Sequence, residues 1–195
     1  MTIKTRAEFF QLFTHNSQYM RDFVDTIMPA KNVTGPGPGI TDAADVIIKS
    51  GVQRIGEIIK TTVLIDLTGL KSGTALLAII GEATTGDDAS LFQIKAVENG
   101  TILAGRMTCL ELPATLTDID LYAATVSTGE HEDDVAALDE VELVAAGGAW
   151  ASGDTKGFTG VPRANDYLYL ANGVSDTPDV FTAGKFLIEL FGYDA

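Results

Sequence analysis

Between residues 60 and 112 the chain places four runs of β-branched and apolar residues, 61–67, 74–80, 91–97 and 101–110, each bounded by Gly, Asp or Asn. Branched side chains lose rotamer freedom in a helix and pack well on a pleated surface, so such short, punctuated runs predict strands. The third and fourth runs are separated by Glu98-Asn99-Gly100, and Asn-Gly tolerates the positive φ that a tight hairpin turn requires. The stretch therefore reads as a meander of antiparallel strands. Nearly continuous apolar character over 75–80 predicts cover on both faces. In the fourth run Leu103, Met107 and Cys109 alternate with Arg106 and Thr108, which predicts one buried face and one wet face.

On either side of this centre the signals are mixed. Residues 41–60 fit strands over 46–48 and 52–59, or a short helix broken at Gly51 and Gly56; the strand reading is adopted. Downstream come the alternation Asp118-Ile119-Asp120-Leu121-Tyr122, an acidic tract from Glu130 to Asp134, and a small-residue loop holding the only tryptophan, Trp150. Strong strand patterns close the sequence at 166–170 and 185–191. About eight to ten short strands at this spacing give a mainly β protein, an antiparallel β-sandwich or jelly-roll-like domain. With 46% hydrophobic residues and a mean hydropathy of +0.18, the chain has ample apolar material for one core.

The N-terminal segment has a different period. Thr5-Arg6-Ala7-Glu8 fits a capping box, in which the Thr hydroxyl and the Glu carboxylate each satisfy a free backbone N–H. Phe9, Phe10, Leu12 and Phe13, then Met20, Phe23, Val24, Ile27 and Met28, recur at helical spacing up to Pro29. Four of the nine Phe residues lie here, more aromatic surface than a short helix hides by itself. The segment packs either on the protein's own β core or on a neighbouring subunit. An intermolecular contact is expected, with Phe9, Phe10, Phe13, Met20, Phe23 and Ile27 as its candidate partner-binding residues. Gly35-Pro36-Gly37-Pro38-Gly39 reads as a spacer, since two of its residues lack the N–H groups of a phosphate cradle. The organisation expected is a helical arm over 1–30, a linker over 31–40 and a β domain over 41–195.

The net charge of −14 is unevenly placed: residues 1–106 carry 10 basic and 11 acidic side chains, residues 107–195 carry 3 and 16. An acidic surface repels phosphate backbones, so no nucleic-acid partner is expected. No run of about 18 apolar residues is present and the N-terminus lacks an uninterrupted apolar stretch, so no membrane association is expected. A single cysteine, Cys109, cannot form an internal disulfide and is expected to be a buried thiol.

Catalytic patterns are missing from the sequence. The histidines are His15 and His131, and neither a Gly-x-Ser-x-Gly elbow nor a His-Glu-x-x-His pair occurs. Glu130-His131-Glu132-Asp133-Asp134 offers carboxylates to a hard cation, but its spacing is not that of an EF-hand loop. Asp118 with Asp120, or Glu140 with Glu142, would supply the carboxylate pair of a glycosidase, yet one Trp is little with which to line a sugar cleft. Lys156 in Gly153-Asp154-Thr155-Lys156-Gly157 is not followed by Ser or Thr, so the loop is not a phosphate loop. A non-enzymatic protein without metal or cofactor is expected. The contrasting expectation is a carbohydrate- or receptor-binding sandwich using the acidic loops with Tyr122, Tyr167 or Trp150.

From about Val52 to Tyr193 the chain resembles tailed-bacteriophage virion proteins of the head decoration, or cement, kind. The residues that carry the resemblance are 99–110, Asp118-Ile119-Asp120-Leu121-Tyr122, Asn165-Asp166-Tyr167-Leu168-Tyr169-Leu170, and Leu187-Ile188-Glu189-Leu190-Phe191-Gly192-Tyr193. The resemblance implies a β domain on the outer capsid surface that bridges neighbouring major capsid subunits. It also implies self-association around a symmetry axis, as a dimer or trimer, after synthesis in the host cytoplasm. It brings no catalytic residues.

Overall fold

The computed structural model describes residues 35–43, 46–83, 86–145 and 148–193, with Ile47 by its backbone alone. The predicted helical arm, with Phe9, Phe10, Phe13, Met20, Phe23 and Ile27, lies outside the described residues. In chain order the strands are β1 (Ile47–Ile55), β2 (Ile58–Asp66), β3 (Thr101–Glu111), β4 (Ile119–Ala124), β5 (Glu140–Val144), β6 (Thr155–Gly157), β7 (Tyr167–Asn172) and β8 (Lys185–Tyr193). Two single-turn helices, α1 (Pro38–Thr41) and α2 (Ala96–Asn99), and a 3-10 turn at Val135–Leu138 complete the elements among the described residues.

The protein is mainly β, and its strands form two antiparallel sheets consistent with a sandwich. One sheet has the order β1-β2-β8-β3-β6, the other β5-β4-β7. In β2 the period-two pattern is clean: Ile59, Thr61, Val63 and Ile65 are buried, while Lys60, Thr62, Leu64 and Asp66 face the other way and keep some exposure. Phe186, Ile188 and Leu190 of β8 and Met107 and Cys109 of β3 continue the buried face, meeting Ile119, Leu121, Leu168 and Leu170 of the smaller sheet. Full burial of each large aliphatic or aromatic side chain stabilises by about 1.5–3 kcal/mol, enough in sum to offset the chain entropy of a domain this size.

All six residues of β4 are buried, so the smaller sheet is covered on both faces. Its outer cover comes from the loop over 125–134 and the 3-10 turn, where Leu138, Ile79 and Tyr169 crowd around Gly129. A β-carbon there would stand only 2.6–3.0 Å from the three side chains, so glycine is the residue that lets this layer close.

Several expectations meet corrections. The runs 74–80 and 91–97 are not regular strands. They are irregular segments laid along the free edge of β7: Ile80 N–H donates to Leu170 O (2.9 Å), Leu91 N–H to Leu168 O (2.7 Å) and Ile94 N–H to Asp166 O (2.8 Å). Leu77, at φ 67°, breaks the first of them. Asn99-Gly100 is a turn but not a hairpin. It ends the helical turn α2, with Gly100 at φ 70°, and Asn99 is buried, accepting from Lys95 N–H at 2.8 Å and donating to the Thr61 hydroxyl at 2.9 Å. The meander is likewise replaced by long-range pairing, because β2 and β3 both bond to β8 and not to each other. Leu103 does not share the buried face of Met107 and Cys109. A bulge between Ile102 and Ala104 shifts the phase, leaving Ile102 4% and Leu103 58% exposed.

Strand character over 41–60 agrees with the hairpin β1–β2, but its bounds differ: 47–55 is one strand and the expected strand 52–59 is divided by the turn at Gly56, φ 63°. The Gly-Pro segment is docked from Gly37 onward: Gly37 N–H donates to Ser90 O and Gly39 N–H to Asp88 O, both at 2.9 Å, and Ile40 enters the core.

Candidate functional site

Strand alternation places Lys49, Gly51 and Gln53 of β1, Lys60, Thr62 and Leu64 of β2, Leu187, Glu189 and Phe191 of β8, and Arg106 and Thr108 of β3 on the face turned away from the smaller sheet. Four of the nine Lys and Arg residues between 35 and 195, namely Lys49, Lys60, Arg106 and Lys185, belong to this face, against 24 acidic residues over the same span. Asp66, Glu111 and Glu189 on the same face pair with three of these four cations, so this side is close to neutral on an acidic body. Exposed Ile55, Ile58, Leu110 and Tyr193 rim it. Over β1 and β2 it sinks into an open depression of about 390 Å³, lined by Lys49, Gly51, Gln53, Thr62 and Leu64 with Leu187 of β8 at its edge.

Two ion-pair groups brace the face. Glu189, nearly fully buried, places Oε1 2.5 Å from Lys60 Nζ and Oε2 2.5 Å from Arg106 Nε. The hydrogen bond from Arg106, reinforced by Lys60, outweighs burial and holds the Glu189 carboxyl below its ordinary range. Lys185 sits 3.2 Å from Asp66 Oδ2 and bonds Glu111 Oε2. Hydrogen bonds to these carboxylates raise the Lys185 ammonium. A carboxylate held between two cations ties β2, β8 and β3 together.

The carboxylates singled out from the sequence are distributed differently. Asp120 is buried and pushed up to about 6, chiefly by burial and then by the nearby Asp118, while the Tyr122 hydroxyl donates to its Oδ2 at 3.4 Å. Tyr122 is itself raised, first by burial and then by Asp120. Glu142 lies opposite Tyr122 on β5, and Glu140 opposite Ala124. In the acidic tract the side chains clasp loops: Glu132 accepts from Thr74 N–H (2.9 Å) and its hydroxyl (3.0 Å), Glu130 from Gly86 N–H (2.7 Å), and Asp134 caps the 3-10 turn through Ala136 N–H (2.9 Å). His131 Nε2 lies 3.2 Å from Ser72 O. Among the described residues one other set of carboxylates converges, Asp42, Glu82 and Asp87, each offering an oxygen within 4.8 Å of the others. Such oxygens could ligate a hard divalent cation.

The aromatic residues considered for sugar stacking are not presented as a platform. Trp150 is buried, donates Nε1–H to Ile119 O at 2.8 Å, meets Phe186 edge-on at 5.2 Å between centroids, and has Lys156 Nζ 4.1 Å over its ring. Tyr122 is buried and Tyr167 half-buried. The ion pairs of Glu189 were missed by sequence reasoning. Their visible sign was a single charge inside Phe186-Leu187-Ile188-Glu189-Leu190-Phe191.

These features define a two-sheet antiparallel β protein whose most developed surface is a broad sheet face, with no helix among the described residues long and apolar enough to cross a membrane. Comparison with known proteins finds no matching family model, no matching curated sequence and no matching solved structure.

Proposed function

We propose that this protein is a non-enzymatic structural component of a tailed-phage virion, a capsid decoration or cement protein that binds the outer capsid surface and bridges neighbouring major capsid subunits. The observation that carries this reading is the outer face of the larger sheet: exposed apolar side chains mixed with ion pairs that fix its shape. A braced sheet face that mixes exposed apolar side chains with charged pairs suits a protein partner. The sequence resemblance over residues 52–193 adds the capsid context. The copies self-associate as a dimer or trimer, and Phe9, Phe10, Phe13, Met20, Phe23 and Ile27 of the N-terminal segment reach the neighbouring subunit. The decisive experiment is mass spectrometry of purified particles with quantification against the major capsid protein. A fixed stoichiometric ratio supports the reading, and absence from particles overturns it. Glycan screening tests the carbohydrate-binding alternative, which the buried positions of Trp150 and Tyr122 disfavour.

A further inference from the structure

We propose that Asn172-Gly173 is a deamidation site that the folded chain keeps closed, and that its conversion to a carboxylate undoes the contact between β7 and the segment at Gly73. Asn-Gly is the dipeptide most open to this chemistry, because glycine lets the following backbone nitrogen approach the side-chain amide without hindrance. That nitrogen attacks the Asn Cγ, ammonia leaves, and water opens the resulting succinimide to aspartate or isoaspartate. The chain has two such steps, Asn99-Gly100 and Asn172-Gly173.

The fold closes both. Each asparagine is fully buried, away from the water that the second stage consumes. The nitrogen that would attack is engaged: Gly173 N–H donates to Asp118 O at 2.8 Å, and Gly100 N–H to Ala96 O at 2.9 Å. The amides are held as well. Asn172 accepts from Gly73 N–H at 3.1 Å and donates to Gly73 O at 2.5 Å, a two-bond clasp across 99 positions of sequence. Its own backbone is tied on the same side, with Asn172 N–H donating to Ala78 O and Leu77 N–H to Asn172 O, both at 2.9 Å. Asn99 accepts from Lys95 N–H and donates to the Thr61 hydroxyl. Reaction at either site therefore needs local opening first.

The two products differ in what they leave behind. A carboxylate at 99 keeps the bond from Lys95 N–H, and the Thr61 hydroxyl can turn to donate to its second oxygen. A carboxylate at 172 keeps the bond from Gly73 N–H but sets its second oxygen against Gly73 O, and a carbonyl has no proton to offer. Full burial leaves no solvent to relieve that pair. Isoaspartate adds a backbone atom at the last residue of β7 and displaces the bonds to Ala78 and Leu77. Deamidation at 172 thus makes an opening of β7 permanent, whereas deamidation at 99 is tolerated better.

The test uses the full-length chain, incubated in mildly alkaline buffer and in parallel in urea, with deamidation at each site followed by peptide mass spectrometry. Both sites should react in urea, and more slowly by roughly tenfold or more in the folded protein. Equal rates at Asn172 in the two conditions overturn the closure. The products are then encoded directly. Asn172→Asp should melt several degrees below the parent protein or fail to accumulate in soluble form, and Asn99→Asp should lose less. An Asn172→Asp variant that melts with the parent, or two variants that lose equally, overturns the claim that the Gly73 clasp is what the carboxylate breaks.

Discussion

Glu189 and Arg106 stand opposite each other on β8 and β3, and the carboxylate of the first closes on the guanidinium of the second at 2.5 Å while its other oxygen holds Lys60 on β2 at the same distance. One side chain thus ties the three strands of the larger sheet that carry its centre.

Replacing that carboxylate should expose the tie. The folded-state pKa of Glu189 lies below its unfolded value, so the stability it contributes is fully present above roughly pH 4.3 and is lost as pH falls through the folded value. Glu189→Gln should therefore melt below the parent protein at pH 7, with the gap narrowing as pH falls through the folded-state value. Thermal melts at pH 7, 5 and 3 check this. A gap that does not narrow at any pH down to acid unfolding would assign the loss to packing instead.

Asp120 has the opposite sign. Burial raises it to about 6, above the unfolded value of roughly 3.9, so the folded state holds the proton more tightly and stability declines as pH rises between the two. At pH 7 the charged, buried form is a burden. Asp120→Asn should stabilise the protein at pH 7 by about 2 kcal/mol, and the advantage should vanish near pH 4. Urea denaturation at both pH values measures it, and a destabilised variant at pH 7 would contradict the burial argument.

Gly105 is packed beneath an aromatic ring. A β-carbon at this position would stand 2.2 Å from a ring carbon of Phe158, whose N–H bonds the Gly105 carbonyl at 2.9 Å. Gly105→Ala should cost about 1–3 kcal/mol by overpacking, and pairing it with Phe158→Leu should cost less than the sum of the two single changes. Additive losses in the double-mutant cycle would show that the ring is not what the methyl group meets.

Cys109 and Trp150 report on the same core. Cys109 is fully buried, and burial, followed by the charge of Asp154, raises its thiol. Labelling by a maleimide or disulfide reagent should be slow in native protein and rapid in denaturant. Trp150 fluorescence should be blue-shifted and shielded from iodide until the same denaturant concentration. Fast labelling of the native state would displace Cys109 from the interior.

Some of this was legible before any coordinates. Alternation in 61–67, 101–110, 166–170 and 185–191 marks β2, β3, β7 and β8, because a strand with one face on a core writes period two into its residues. The runs 74–80 and 91–97 looked the same and are not strands. Apolar runs record burial, and burial beside β7 needs no ladder of its own. Asn99-Gly100 correctly announced a turn, but dipeptides carry no information on whether the flanking segments pair. The bulge that exposes Leu103 depends on contacts with β8 more than 80 positions away, and the partners of Glu189 are equally remote; Arg106 is 83 residues upstream. Long-range pairing is what local pattern cannot state.

The strand order also sets a timetable for synthesis. Strands β2 and β3 precede β8 in the chain, yet the hairpin β1–β2 is joined to β3 only through β8, residues 185–193. Until those nine residues emerge, the hairpin β1–β2 and the long strand β3 have no common neighbour, and the apolar side chains of both stay open to wrong partners. Assembly of the larger sheet therefore waits on the strand that comes last of the eight described. A cell that makes many copies at once would hold, for about the time needed to translate residues 112–193, a population of nascent chains dependent on chaperone shelter.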